Sequence, residues 1–182
     1  EEFRPNHFAG HLVYPIEPRY ALEFFRKACD LIPQIDSLNP SDIFSVVTNR
    51  AGIYANLNEI DSAELYFRMA IQLAKKDSRI SEVSSVNNLG FFFNEIGQYD
   101  SARINFLKAL DMLSDRNEDI MMYCAIRDNL AQLSIKDHQY LAALKTFQYN
   151  DSVYATRTNY NKYVINQVRM MRLMMQLNVS GI

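Results

Sequence analysis

The stretch Asn87–Leu110, NNLGFFFNEIGQYDSARINFLKAL, decides the fold, because it places two glycines inside a pattern that otherwise predicts helices. With the preceding valine it gives Val86-x2-Leu89-Gly90-x2-Phe93 and then Ala102-x3-Phe106-x2-Ala109. Where two helices cross, small residues let the backbones approach and larger side chains fill the space on either side. The stretch therefore predicts a pair of packed helices with Gly90 at the crossing and Gly97 in the turn between them.

The same pattern recurs along the chain. Ala51 precedes Gly90 and Ala131 follows it at nearly equal intervals, each in the position of the small residue. We call the two helices of each pair the first and the second helix. The spacing of the second helix also recurs, in the sets Ala21, Phe25, Ala28; Ala63, Phe67, Ala70; and Ala143, Phe147. The third copy departs from the pattern at Arg127, Ser134 and Asn150, where bulky, aromatic and small residues are expected. Self-similarity at a nearly fixed period indicates a repeat array.

These residues resemble the signature of the tetratricopeptide repeat family over roughly residues 9 to 150. The resemblance implies an all-α fold, a right-handed superhelical stack of antiparallel helix pairs that forms one continuous solenoid domain. We expect a partial or irregular repeat over 1–37, repeats over 38–78 and 79–118, a degenerate repeat over 119–156, and a terminal helix over 157–182.

The terminal helix is predicted from an apolar stripe. The stripe contains Tyr160, Val164, Val168, Met171 and Met175, at successive spacings of four, four, three and four. Because a repeat array exposes an apolar end unless something covers it, we expect this helix to cap the array. Methionine-rich faces are adaptable, so a homodimer seam or a connector to a following domain is the alternative.

Composition and charge argue against several other classes of protein. The 182 residues carry a formal net charge of −2, which provides no basic surface for nucleic acid. No apolar run is long enough to span a bilayer. Cys29 and Cys124 are far apart in sequence and predict buried thiols rather than a disulfide framework or a zinc site. His7 and His11 could share a helix face, but they lack a third ligand, so no metal site is predicted.

Recognisable catalytic motifs are also missing from the sequence. The five glycines form no phosphate-binding loop, and no serine or cysteine stands in the setting of an activated nucleophile. We therefore predict that the chain is not an enzyme and needs no cofactor.

A column of asparagines provides the candidate binding site. Asn49, Asn88 and Asn129 each stand two positions before the small residue of a first helix. In tetratricopeptide repeats this position faces the concave side, and repeats with this feature resemble those that bind extended peptides through an asparagine ladder. An asparagine amide carries a donor and an acceptor, as a peptide backbone does, so it can hold an extended chain of any sequence. The predicted lining also contains Asn87, Phe91, Asn94, Asn56, Asp128 and Gln132.

The function predicted from these features is a protein–protein interaction module that binds an extended, weakly charged peptide or a partner protein. The join Tyr149–Tyr154, followed by a long polar helix, resembles the repeat segments of bacterial signalling proteins, in which such repeats form the sensory region. The alternative is a structural scaffold or assembly segment with no free-peptide ligand, in which the asparagines bond to neighbouring helices or to water. The chain begins at Glu1 without a methionine, so we expect a piece of a longer protein, periplasmic if it is a sensor and cytoplasmic otherwise.

Overall fold

The computed structural model describes residues 6, 9–10, 16–31, 40–113, 119–156 and 160–180. The helices are α1 (Pro18–Leu31), α2 (Pro40–Asn56), α3 (Ile60–Asp77), α4 (Arg79–Glu95), α5 (Tyr99–Asp111), α6 (Ile120–Lys136), α7 (Tyr140–Thr156) and α8 (Tyr160–Ser180). No strand occurs within the described ranges, which agrees with the predicted all-α fold. The chain divides into two compact units, Glu1–Phe92 and Phe93–Ile182.

In the first unit, α1 packs against α2 and α2 packs against α3. The predicted second-helix residues Ala21, Phe25 and Ala28 are fully buried and form one apolar cluster with Val46 and Ile53 of α2. The alanines leave room for the neighbouring backbone, and the phenylalanine fills the space between them. The pattern near the start of the chain therefore marks a genuine second helix.

The small residues of the first helices are buried, as the pattern requires. Ala51 on α2 is 0% exposed and Ala131 on α6 is 3% exposed. Gly90 on α4 is buried too.

The turns that join each first helix to its second helix share one geometry. Asn58, Gly97 and His138 adopt positive φ angles of 59°, 78° and 59°. The amide after each of them donates to the carbonyl five positions back, in the pairs Glu59–Tyr54, Gln98–Phe93 and Gln139–Ser134 at 2.8–2.9 Å. This is the Schellman closure of a helix, in which one left-handed residue satisfies the last free carbonyls. The predicted chain break at Gly97 is confirmed, and Asn58 and His138 are its equivalents in the same repeat register.

In the second unit, α5 packs on α6, α6 on α7 and α7 on α8, so α8 covers the last repeat as expected. The face it uses is not the predicted stripe. Its buried residues are Asn166, Met170, Leu173 and Leu177, whereas Val164, Val168, Met171 and Met175 are 41–59% exposed. The prediction of the packing face was wrong because both sides of α8 carry apolar residues. The side that packs also contains an asparagine, Asn166, which donates to the carbonyl of Phe147 at 2.6 Å.

Candidate functional site

The three asparagines of the predicted ladder lie on first helices in equivalent positions. Asn49 is on α2 and Asn88 is on α4, both within the first unit, and Asn129 is on α6 in the second. All three residues are half-buried.

The other predicted lining residues differ in exposure. Phe91 is 49% exposed, and Asn56 is exposed at the end of α2. Asn87, Asn94 and Gln132 are half-buried. The Asn94 side-chain amide donates to the Glu95 carboxylate at 3.3 Å.

A cavity of about 200 Å³ lies between α6 and α8 in the second unit. It is lined by Ala125, Asp128 and Asn129 of α6 and by Lys162, Ile165 and Arg169 of α8. Two of these residues, Asp128 and Asn129, belong to the predicted site, and the structure adds two cations from α8. The lining is therefore more positive than predicted from the sequence.

Arg169 occupies the ladder position on α8. It follows Asn129 by one further interval of the repeat, the same interval that separates Asn49 from Asn88 and Asn88 from Asn129 to within one position. Arg169 was not predicted from the sequence, because α8 was interpreted as a cap, a dimer seam or a connector and the repeat was not extended into that helix. Extending the register by one more interval would have found Arg169.

Asp128 has a structural role in addition to lining the cavity, because it joins α6, α7 and α8. Its carboxylate accepts hydrogen bonds from the Asn150 amide at 2.7 Å and the Tyr154 hydroxyl at 2.8 Å. Arg169 forms an ion pair with the same carboxylate at 3.4 Å. A carboxylate with several donors can be buried without losing its charge.

This network explains why the third repeat departs from the pattern at Asn150. Asn150 is fully buried where the other second helices have alanine. Its amide also donates to the Cys124 carbonyl at 2.9 Å. A polar side chain therefore replaces the small one and is hydrogen-bonded to α6.

The buried network raises the pKa of two neighbouring groups. Burial, with a smaller effect of the Asp128 charge, raises the pKa of the Cys124 thiol to about 11. Burial and Asp128 likewise raise the pKa of Tyr154. Both cysteines are free thiols, with Cys124 buried and Cys29 half-buried against the α1–α2 cluster. The Cys124 environment favours the neutral thiol, which is a poor nucleophile.

Within the described ranges, no three histidine, cysteine, aspartate or glutamate residues are grouped to hold a metal ion. His7 and His11 lie outside those ranges. In the same part of the chain no helix has the length and apolar character needed to cross a membrane.

Comparison with known proteins connects this geometry to repeat proteins. Residues 45–77 match the tetratricopeptide repeat family. Among curated proteins, sequence comparison finds no match.

Several solved structures have a similar fold. One is the aspartyl phosphate phosphatase F of Bacillus subtilis, with a TM-score of 0.83 and 16% identity over 99% of this chain and 47% of that one. Another is the Rap conjugation gene regulator of plasmid pLS20, solved with a Phr peptide, with a TM-score of 0.69 and 19% identity over 82% and 42%. A third is a putative kinesin light chain of Podospora anserina with TPR-like repeats, with a TM-score of 0.70 and 14% identity over 100% and 89%.

The chain spans less than half the length of the first two of these proteins. At these identities the likeness shows the fold, which is that of TPR-like helical repeats, and the recognition of the repeat from the sequence is confirmed.

Proposed function

We propose that this chain is a protein-interaction module whose first helices bind an extended peptide, mainly through the peptide backbone. The observation that carries the proposal is the recurrence of a half-buried asparagine at one position of α2, α4 and α6, with a cavity beside the last of them. An asparagine amide offers a donor and an acceptor, as a peptide backbone does, so a row of them matches an extended chain. The Rap regulator solved with a Phr peptide is a protein of similar fold with a peptide ligand, which supports the proposal by analogy.

The lining residues suggest which peptides would bind. Phe91 offers an exposed aromatic ring for an apolar side chain of the peptide. Near Asn129, Lys162 and Arg169 outnumber Asp128, whose carboxylate is already bonded by three donors. We therefore propose a peptide that is neutral or acidic where it passes α6 and α8, because a basic side chain would be repelled there.

The more specific form of the proposal is that the module senses a peptide or partner for a bacterial signalling protein. The competing function is a scaffold that holds neighbouring domains and takes no free peptide. The two differ in one measurable property, since only the sensor selects peptides from a random library. The proposal includes no catalytic step.

Substitution of the ladder tests peptide binding. With a peptide selected from a random library, Asn88→Ala and Asn129→Ala should each weaken binding by about 1–2 kcal/mol, because they leave backbone groups of the peptide unpaired. The melting temperature should stay near that of the wild type. Asn105→Ala is the matched control, because Asn105 lies on α5, outside the ladder position, and donates to the Ser101 carbonyl.

Two results would contradict the proposal. If the library yields no binding peptide, the scaffold is the better description. If the ladder variants lose stability while their affinity for the peptide is unchanged, the asparagines are structural residues.

A further inference from the structure

Helix α8 carries an exposed apolar surface on the side that faces away from α7. We call this the outer face, and it consists of Val164, Val168, Met171, Met174 and Met175, which are 41–59% exposed. A cluster of this kind on one helix is unusual for a monomer and marks a surface that associates with something.

The repeat register shows which face of α6 corresponds to the outer face of α8. Val164 and Met171 follow Cys124 and Ala131 of α6 by the same single interval that separates Arg169 from Asn129. In α6 those two positions are 0% and 3% exposed, and they adjoin α7: Asn150 donates to the Cys124 carbonyl, and Ala131 clusters with Phe147. The outer face of α8 is therefore the face against which a helix packs in α6.

A helix that packs as closely as α7 packs on α6 does not fit against this face. At the crossing position α8 has Met171, whereas α2, α4 and α6 have Ala51, Gly90 and Ala131. A helix that approached as closely as α7 approaches α6 would overlap the methionine side chain. The spacing of Val164, Val168, Met171 and Met175 is four, three and four, which is the heptad spacing of a helix-on-helix seam that accommodates larger side chains.

The charges of α8 favour an identical partner. Its cations are Lys162, Arg169 and Arg172, and it contains no acidic residue. Arg169 pairs with Asp128 at 3.4 Å, and the Lys162 amine lies 5.7 Å from the ring of Tyr154, so both are directed towards α6 and α7. Only Arg172 borders the outer face. A nearly uncharged apolar face complements a copy of itself. An acidic helix or an anionic membrane would be attracted by one cation only, Arg172.

We propose that the chain forms a homodimer in which the outer faces of two copies of α8 pack against each other. The contact is isologous, since each copy contributes the same residues, and it closes without leaving a further free face. It uses the side of α8 opposite to Asn166 and Leu173, so it leaves the packing on α7 unchanged. This proposal does not depend on peptide binding.

Sedimentation equilibrium tests the dimer over a range of protein concentration. The wild-type chain should sediment as a dimer at high concentration and dissociate on dilution. Met171→Glu and Val168→Glu should raise the dimer dissociation constant at least about tenfold, because each would bury a carboxylate in an apolar seam. Gln148→Glu is the matched control, since it adds the same charge at an exposed position of α7 and should leave the dissociation constant unchanged. Because Met171 and Val168 are exposed in the single chain, their variants should keep the wild-type melting temperature.

A wild-type chain that stays monomeric throughout the micromolar range would overturn the proposal. So would a Met171→Glu variant that dimerises as the wild type does. Vesicles of phosphatidylglycerol, added to the wild-type chain, test the membrane alternative. Co-sedimentation of a monomeric chain with them would show that lipid covers the outer face and would also overturn the dimer.

Discussion

Replacing Asp128 by asparagine should destabilise the last repeat, because its carboxylate is the common acceptor for three donors. Asn150 donates to one oxygen, and Tyr154 and Arg169 share the other. The amide of an asparagine has a single acceptor oxygen, so its NH₂ group would face at least one of these donors. The residue keeps its shape and loses its charge, which separates the electrostatic contribution from packing.

The magnitude follows from the bonds that are lost. A hydrogen bond to a charged group contributes about 1.5–3 kcal/mol, and a donor left buried without a partner adds to the loss. We expect Asp128→Asn to lower the free energy of unfolding by about 3 kcal/mol, which corresponds to a melting temperature lower by about 6–12 °C for a chain of this size. Asp137→Asn is the control, because Asp137 forms a more exposed ion pair with Arg103 and should change stability by less than about 1 kcal/mol.

Two measurements check this prediction. Thermal unfolding followed by circular dichroism gives the melting temperatures of the variant and of the control. Amide hydrogen exchange locates the change, since α6, α7 and α8 should lose protection while α1 and α2 keep theirs. If Asp128→Asn and Asp137→Asn have the same melting temperature, the network does not hold the three helices together and the reasoning is wrong.

Three further predictions concern glycine and cysteine. Gly52→Ala should raise stability by about 0.5–1 kcal/mol, because Gly52 is within α2 and an added Cβ meets no atom within 4 Å. Gly97→Ala should lower stability, because Gly97 has a φ of 78°. Urea unfolding of the two variants should show these opposite signs. Gly90→Leu should cost several times more stability than Gly90→Ala, since it overpacks a buried crossing, and similar melting temperatures for the two would remove Gly90 from the crossing. Iodoacetamide at pH 8 should modify Cys29 well before Cys124, as mass spectrometry would show. The pKa of Cys124 in the folded chain is raised to about 11. The stability that its neutral thiol contributes should therefore be present below about pH 9 and fall as the pH rises towards 11.

The arrangement of helices could be predicted from the sequence because the repeat is a local code. Each small residue, phenylalanine and turn recurs at a nearly constant interval, and the packing it requires involves only the next helix along the chain. For this reason the small positions of the helix pairs, the chain break at Gly97 and the helical repeat could be predicted from the sequence. The ladder asparagines could be placed on first helices for the same reason, whereas their role in binding remains a proposal.

Features that depend on which groups meet across several helices were decided by the tertiary structure alone. Spacing identifies Asp128 as a polar residue on a first helix, but its bonds to Asn150, Tyr154 and Arg169 span 22, 26 and 41 residues and join three helices at once. The packing face of α8 was decided in the same way. Both of its sides are apolar enough to be buried, and the chosen side is the one where Asn166 reaches the Phe147 carbonyl. Periodicity measures how apolar a face is, and it cannot show which face finds a hydrogen-bonding partner.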